Sequence, residues 1–247
     1  MTVNVRDAIN QITAGMLVEE KQVKFATRVA LTRTAKRVEA AEQHEMRDSF
    51  DQPTPFTMSG LFVRPATASN LSAEVKLKDF ASKSSTPAAK YLEAQIKGGS
   101  RGQKRFERAL ESIGALPPGY RVVPGEGAQL DAYGNMSRGQ IVQILSYFRA
   151  FPEAGYKANM SDKRREALQR RQGFAYFVGR PGDRLPLGVY QRVQFARGTA
   201  VRPVMIFVRN VVYQKTFDFG YVATSTIEQH FAAEFTRALA EARATQR

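Results

Sequence analysis

The chain has 247 residues, of which 43% are apolar and 24% charged, and it contains no cysteine and no tryptophan. Such a composition excludes a disordered or fibrous chain and implies one substantial core, or one core with an inserted subdomain, while the missing thiols exclude disulfides, thiolate catalysis and Cys-ligated metals. With 37 Lys and Arg against 23 Asp and Glu the formal charge is +14, a field that attracts nucleic acid, acidic protein faces or anionic lipid before any specific contact forms.

The opening stretch, MTVNVRDAINQITAGMLVEEKQ, lacks the basic region and apolar run of a secretory signal, and no 18-residue apolar stretch occurs anywhere; the expectation is a chain kept in the cytoplasm, without a membrane partner. No repeat period of solenoid or propeller type is present. From Leu17 to Met46 few helix breakers occur, and Phe25, Val29, Ala30 and Val38 stand among Ala and long charged residues, which predicts one long helix. Its cations Lys21, Lys24, Arg28, Arg33, Lys36 and Arg37 recur at spacings of three and four and so share roughly one face. That face is either ordinary solvated surface or an electropositive stripe for DNA or an acidic partner.

The prolines of DQPTPF end this helix. Leu61 to Val63, then Ala73, Val75 and Leu77, alternate with polar residues and predict two half-buried strands around the turn-like RPATASN. A Gly, Pro and Ser-rich stretch follows. It contains a helix from about Gly102 to Ile113, stopped by Gly114, and a second helix with Ser137 as N-cap and Ile141, Ile144, Leu145 and Phe148 as its apolar stripe. DKRREALQRRQ gathers Lys163, Arg164, Arg165, Arg170 and Arg171 and reads as a mobile basic arm. GFAYFVGR, GVYQRVQF and RPVMIFVRN then form an expected antiparallel meander. Ser225 and Glu228 have capping-box spacing before a closing helix whose stripe of Ile227, Phe231, Phe235, Ala238, Leu239 and Ala242 is expected to lie on the sheet.

Motifs for chemistry are sparse. His44 and His230, the only two histidines, lack neighbours at ligand spacing. KGGSRGQKR puts glycines and cations before a helix, but without Walker spacing it reads as a hinge with some attraction for phosphate. Glu126, Asp131 and Asn135 in PGEGAQLDAYGN depart from an EF-hand loop, and the segment reads as an ordered turn. Tyr213, Phe217, Phe219 and Tyr221 interleave with Lys215, a pattern that serves either to stack bases or, the stronger alternative, to strap a strand onto the closing helix. The expectation is no enzyme, no cofactor and no metal.

One resemblance emerges from this order of segments. ATRVALTRTAKRVEAAEQHEMRDSF at the start, and GVYQR leading to RPVMIFVRNVVYQKTFDFGYVATSTIEQHFAAEFTRALAEA at the end, resemble tail-completion and minor tail proteins of tailed bacteriophages, of the lambda minor tail protein Z type. About half of the chain takes part, through packing patterns rather than catalytic signatures, and the region from about Asp79 to Gln172 departs from the shortest members. The resemblance implies a structural virion protein of the neck or head-proximal tail, assembled as a ring of its own copies with other neck, tail or connector proteins around the DNA passage. It would be found in the virion, and in host cytoplasm during assembly. In such a ring the N-terminal helix cations or the Lys163 to Arg171 cluster face genomic DNA or an acidic partner.

The expected fold is α+β: a mainly antiparallel sheet packed by long N-terminal and C-terminal helices, with residues 1–80 and 173–247 forming the core and 81–172 an inserted loop and helix region. The alternative functional readings are a cytoplasmic nucleic-acid-binding protein that uses basic helix faces, and a phosphoryl-transfer enzyme whose carboxylates meet only on folding.

Overall fold

The computed structural model describes residues 2–14, 16, 19–81, 86–152, 158–179, 182, 184–209 and 211–244. In chain order the helices are α1 (Arg6–Thr13), α2 (Glu20–Ser49), α3 (Pro55–Met58), α4 (Ala88–Tyr91), α5 (Glu93–Lys97), α6 (Arg105–Ser112), α7 (Arg138–Tyr147), α8 (Asp162–Gln172) and α9 (Phe219–Ala244). The strands are β1 (Leu61–Arg64), β2 (Glu74–Leu77), β3 (Gly99–Ser100), β4 (Tyr120–Pro124), β5 (Phe174–Gly179), β6 (Gly188–Phe195), β7 (Gly198–Arg209) and β8 (Val212–Tyr213). The fold is α+β with antiparallel pairing in each sheet. No described helix is long and apolar enough to cross a membrane.

The chain divides into two compact units, residues 1–98 with 214–247 and residues 99–213. This corrects the expected boundaries of 81–172 for the insertion: the meander strands belong to the inserted unit. The reason is β4, which the sequence hid among prolines and glycines. It pairs with β7, so the four-stranded order β4-β7-β6-β5 needs the central segment to complete it.

In unit 1, α2 and α9 form the frame. Ala26 and Ala30, both fully buried, leave room for Phe231, Phe235, Ala238 and Leu239 of α9. The Phe231 and Phe235 rings stack one helical turn apart, 6.1 Å between centroids. The α9 stripe therefore packs on α2, not on the meander as its amphipathicity alone suggested. Burial of such side chains contributes roughly 1.5–3 kcal/mol each. The predicted hairpin is present as β1 and β2, and a second cluster of Met46, Leu61, Ala88, Leu92 and Phe217 joins it to the far end of α2. α2 runs on to Ser49, and its expected start at Leu17 lies outside the described residues.

The closing helix also starts earlier than expected. Phe217 is fully buried and meets Phe50 and Phe219 edge-on at 5.5 and 6.0 Å, which fixes the strap against the helix. Asp218 then accepts a hydrogen bond from the Tyr221 N–H at 3.3 Å and serves as the N-terminal cap. Ser225 lies inside the helix, where its hydroxyl accepts from the Gln229 amide at 3.1 Å instead of forming a capping box.

In unit 2, α6 and α7 supply Leu110, Ile144 and Leu145 to a core shared with Val122, Tyr176, Val189, Met205 and Phe207 of the sheet. Ser137 caps α7 as expected, its hydroxyl accepting from the Gln140 N–H at 3.2 Å. Gly188, which leads GVYQR, packs so closely that a Cβ there would collide with the Met205 carbonyl. β3 pairs with β8, so the two ends of the unit lie side by side.

Candidate nucleic-acid interface

Charge is divided unequally between the units. Residues 99–213 hold 19 Lys and Arg against 8 Asp and Glu, net +11, whereas the rest of the chain holds 18 against 15, net +3. The excess that defines the protein thus resides in the unit built around the four-stranded sheet.

The N-terminal helix cations are largely committed to structure. Arg33 binds Glu241 with both terminal nitrogens at 3.0 and 2.9 Å, and Arg37 reaches Glu234 at 2.8 and 2.7 Å, so both residues fasten α2 to α9. Lys24 pairs with Glu20 one turn away, and Arg28 lies 5.2 Å from the Phe25 ring centre. Of the stripe, Lys21 and Lys36 remain exposed with no ion pair among the described residues.

The second cluster is a helix and not an arm. Ser161 caps α8 through the Arg164 N–H at 3.3 Å, and Gly173, in left-handed backbone with φ +56°, ends it. Local capping explains the order: a start signal and a stop signal bracket eleven residues in which Asp162 also complements the helix N-terminus. Asp162 binds Arg149 at 2.6 Å and Arg165 at 2.5 Å, and these two bonds hold its carboxyl below the usual range. Arg165 lies over the Tyr147 ring at 5.7 Å, and Arg170 approaches Glu166 at 3.4 Å. Lys163 and Arg164 stay exposed and unpaired among the described residues. The side chain of Arg171 lies outside the described residues.

A further group of cations without carboxylate partners among the described residues lies outside those singled out from sequence. β6 and β7 form a hairpin whose far half carries Arg192, Arg197 and Arg202, all exposed. Arg192 lies 5.2 Å from the Phe177 ring centre, which steadies the guanidinium without neutralising it. Among the described residues no carboxylate pairs with any of the three. One signal was available: between Asp183 and Asp218 the sequence places six cations and not a single Asp or Glu.

Other chemistry-bearing groups serve the fold. Glu107 is fully buried, and its carboxylate accepts from Arg101 at 2.9 and 2.5 Å, from the Val122 N–H at 2.8 Å and from the Lys104 N–H at 2.6 Å. Burial works against its charge, but these four bonds prevail and its pKa is lowered. KGGSRGQKR therefore uses Arg101 as an internal clamp. Asp131 accepts from the Tyr133 and Asn135 N–H groups, both at 2.9 Å, and organises the PGEGAQLDAYGN turn. His44 contacts Asp48 at 2.9 Å on the surface of α2, while His230 is half-buried on α9.

Glu42 on α2 is the exception. It is fully buried, neither carboxyl oxygen has a hydrogen-bond partner among the described residues, and its pKa is pushed up to about 8 by burial first and then by Glu45 and Asp218. No three described His, Asp or Glu residues cluster so as to hold a metal. Unit 1 also has a groove of about 1090 Å³ between α2, β2 and α9, with Val23, Leu31, Val38, Ile227 and Phe231 in its walls.

Comparison of the chain with protein-family models, curated proteins and solved structures gives no match.

Proposed function

We propose that this protein is a structural subunit of a tailed-bacteriophage particle, a tail-completion or neck protein whose copies form a ring around the DNA passage at the head–tail junction. The +11 charge of unit 2 carries the proposal. A closed ring repeats one subunit's field around its axis, so a modest local excess becomes a continuous positive collar for a passing polyanion. The resemblance supports the same reading: its opening segment supplies α2, and its closing segment supplies β6 and β7 of unit 2 and then α9, which packs on α2 in unit 1. The other neck, tail or connector proteins are the remaining partners, and the virion is the site of action.

Sedimentation of the purified protein together with electron microscopy of labelled particles tests this. The expected result is a discrete ring species and label confined to the junction. A chain that remains monomeric at high concentration and is absent from particles overturns the reading in favour of a nucleic-acid-binding protein acting alone, for which the same charge would also serve. Metal-dependent cleavage of DNA by the pure protein would overturn both.

A further inference from the structure

We propose that the second face of the unit 2 sheet is a docking surface for an amphipathic helix of a partner protein, apolar along one side and acidic at both ends. The pairing register divides the strands between two faces, because directly opposed residues share a face and neighbours along a strand alternate. On one face lie Val122, Tyr176, Val189, Met205 and Phe207, the core covered by α6 and α7. α8 is held to that layer, with Arg165 donating to the Tyr147 carbonyl at 3.3 Å and lying over its ring. On the other face lie Val123, Ala175, Phe177, Tyr190, Ile206 and Val208.

This second face is apolar too, but the helices of unit 2 pack on the first. Val123, Ala175, Phe177, Ile206 and Val208 are half-buried, and none of them belongs to a hydrophobic core among the described residues. Tyr190 alone of the group is buried, its ring stacked on Phe177 at 5.6 Å and its hydroxyl donating to the Pro186 carbonyl at 2.8 Å. An antiparallel sheet with one wet face alternates apolar and polar residues, whereas a continuous apolar run marks a strand covered on both faces. Val204 to Val208 of β7 read VMIFV, without a polar residue. The strand is therefore suited to a second layer, which α6 and α7 do not supply.

Size and charge select the occupant. With strands about 4.8 Å apart and a rise of about 3.4 Å per residue, the face is about 19 Å wide and, from Val201 to Val208, about 24 Å long, at most about 450 Å². A stable dimer buries about 800 Å² on each partner, so a second copy docked through this face alone falls short. A polyanion needs cations across its contact, and the middle of this face has none. Arg121, opposite Val208, and Arg192, opposite Val201, stand instead at its two ends, neither with a carboxylate partner among the described residues. The Arg121 guanidinium donates to the Tyr120 carbonyl at 2.9 Å, which steadies it without neutralising it. An α-helix is about 10 Å wide and rises about 1.5 Å per residue, so about sixteen residues span the distance between the two cations. An acidic residue at each end of such a helix meets one arginine, while its apolar stripe covers Ile206 and Val208. The partner is accordingly a protein segment that completes a helix-on-sheet layer. This goes beyond the ring reading and does not depend on it.

The experiment uses the full chain and two fluorescent helical peptides of about 18 residues with the same leucine and alanine stripe, one with Glu at both ends and the other with Lys. Anisotropy should show saturable binding of the Glu-ended peptide and binding of the Lys-ended one weaker by about tenfold or more. Equal binding of the two, or no binding of either, overturns the proposal. Ile206→Thr with Val208→Thr keeps β-branched side chains in the strand and should weaken the Glu-ended peptide by about tenfold; an unchanged affinity overturns it. Because the chain has no cysteine, Ala175→Cys gives a unique labelling site on the face. A fluorophore there should respond to the Glu-ended peptide while one at Ser112→Cys on α6 does not, and a silent face overturns the docking surface even if the Thr variant misfolds. An equal response of the face label to duplex DNA overturns it in favour of a polyanion site. Self-association of the wild type that the Thr substitutions abolish overturns it in favour of a second copy. Failure of the protein to form rings would sink the ring reading and leave these binding results standing.

Discussion

The two units carry nearly equal numbers of cations, 18 and 19, yet differ in net charge as +3 and +11 because one holds 15 acids and the other 8. In unit 1 Arg33 and Arg37 of α2 are paired with carboxylates of α9, so charge helps to fix the packing of two long helices. In unit 2 one half-buried arginine, Arg101, is clamped on the buried Glu107, while those of the hairpin are exposed without a carboxylate partner among the described residues. Abundance of basic residues is therefore a poor guide to where positive charge stays uncompensated. The local supply of carboxylates decides which cations remain available.

The largest expected loss tests what holds unit 1 together. Phe235→Ala removes a fully buried ring between α2 and α9 and should cost about 3–5 kcal/mol in denaturant titration. In unit 2, Arg101→Ala strands the buried Glu107 carboxylate with only backbone donors and should cost about 3 kcal/mol by the same measurement. A negligible loss would mean that this pair is as dispensable as the exposed hairpin arginines, which would erase the contrast between the two kinds of cation.

Glu42 should make the stability of unit 1 depend on pH. Its unfolded carboxyl titrates near 4.5 and its folded one near 8. Between these values the folded chain retains a proton that the unfolded chain has released, so stability is complete below about 4.5 and declines as pH rises toward 8. Glu42→Gln should remove this decline, giving a variant more stable than the wild type at pH 9 by on the order of 2 kcal/mol, read from melting curves at pH 5 and pH 9. A parallel decline in both proteins would assign it elsewhere.

Smaller effects sharpen the comparison further. Arg33→Ala, which removes an exposed α2–α9 pair, should cost no more than about 1 kcal/mol. The Gln variants of Arg192, Arg197 and Arg202 should lie within about 0.5 kcal/mol of wild type in denaturant titration. Exposed cations without a carboxylate partner can be removed with little effect on folding.

Elements with strong local signals were legible before the fold was known. Continuous helix formers marked α2, alternation marked β1 and β2, Ser137 marked the start of α7, and Val, Phe and Tyr marked the meander. What escaped depends on contacts distant in sequence. YRVV is too short and too close to prolines to announce itself as a strand until β7 lies beside it. The α9 stripe reveals that a face is buried but not which element covers it, and Ala26 and Ala30 of α2 fit the Phe rings that the meander was expected to receive. Ser225 and Glu228 have the right spacing for a cap, but burial of Phe217 sets the helix start at Phe219. Of the candidate site, the α8 cluster stood out because its cations are contiguous. The hairpin arginines, spaced five residues apart, come together only through strand register.

The way unit 2 joins the chain has a consequence for descent. At one side of the junction Gly99 lies opposite Tyr213, and at the other the Gln95 carbonyl accepts from the Thr216 and Phe217 N–H groups at 3.0 and 3.2 Å. Incoming and outgoing segments are thus already stitched together on both sides of the cut. The basic module behaves as a cassette: a single in-frame exchange could swap or remove it while the α2–α9 frame keeps its own contacts, letting one scaffold acquire different attachments over evolutionary time.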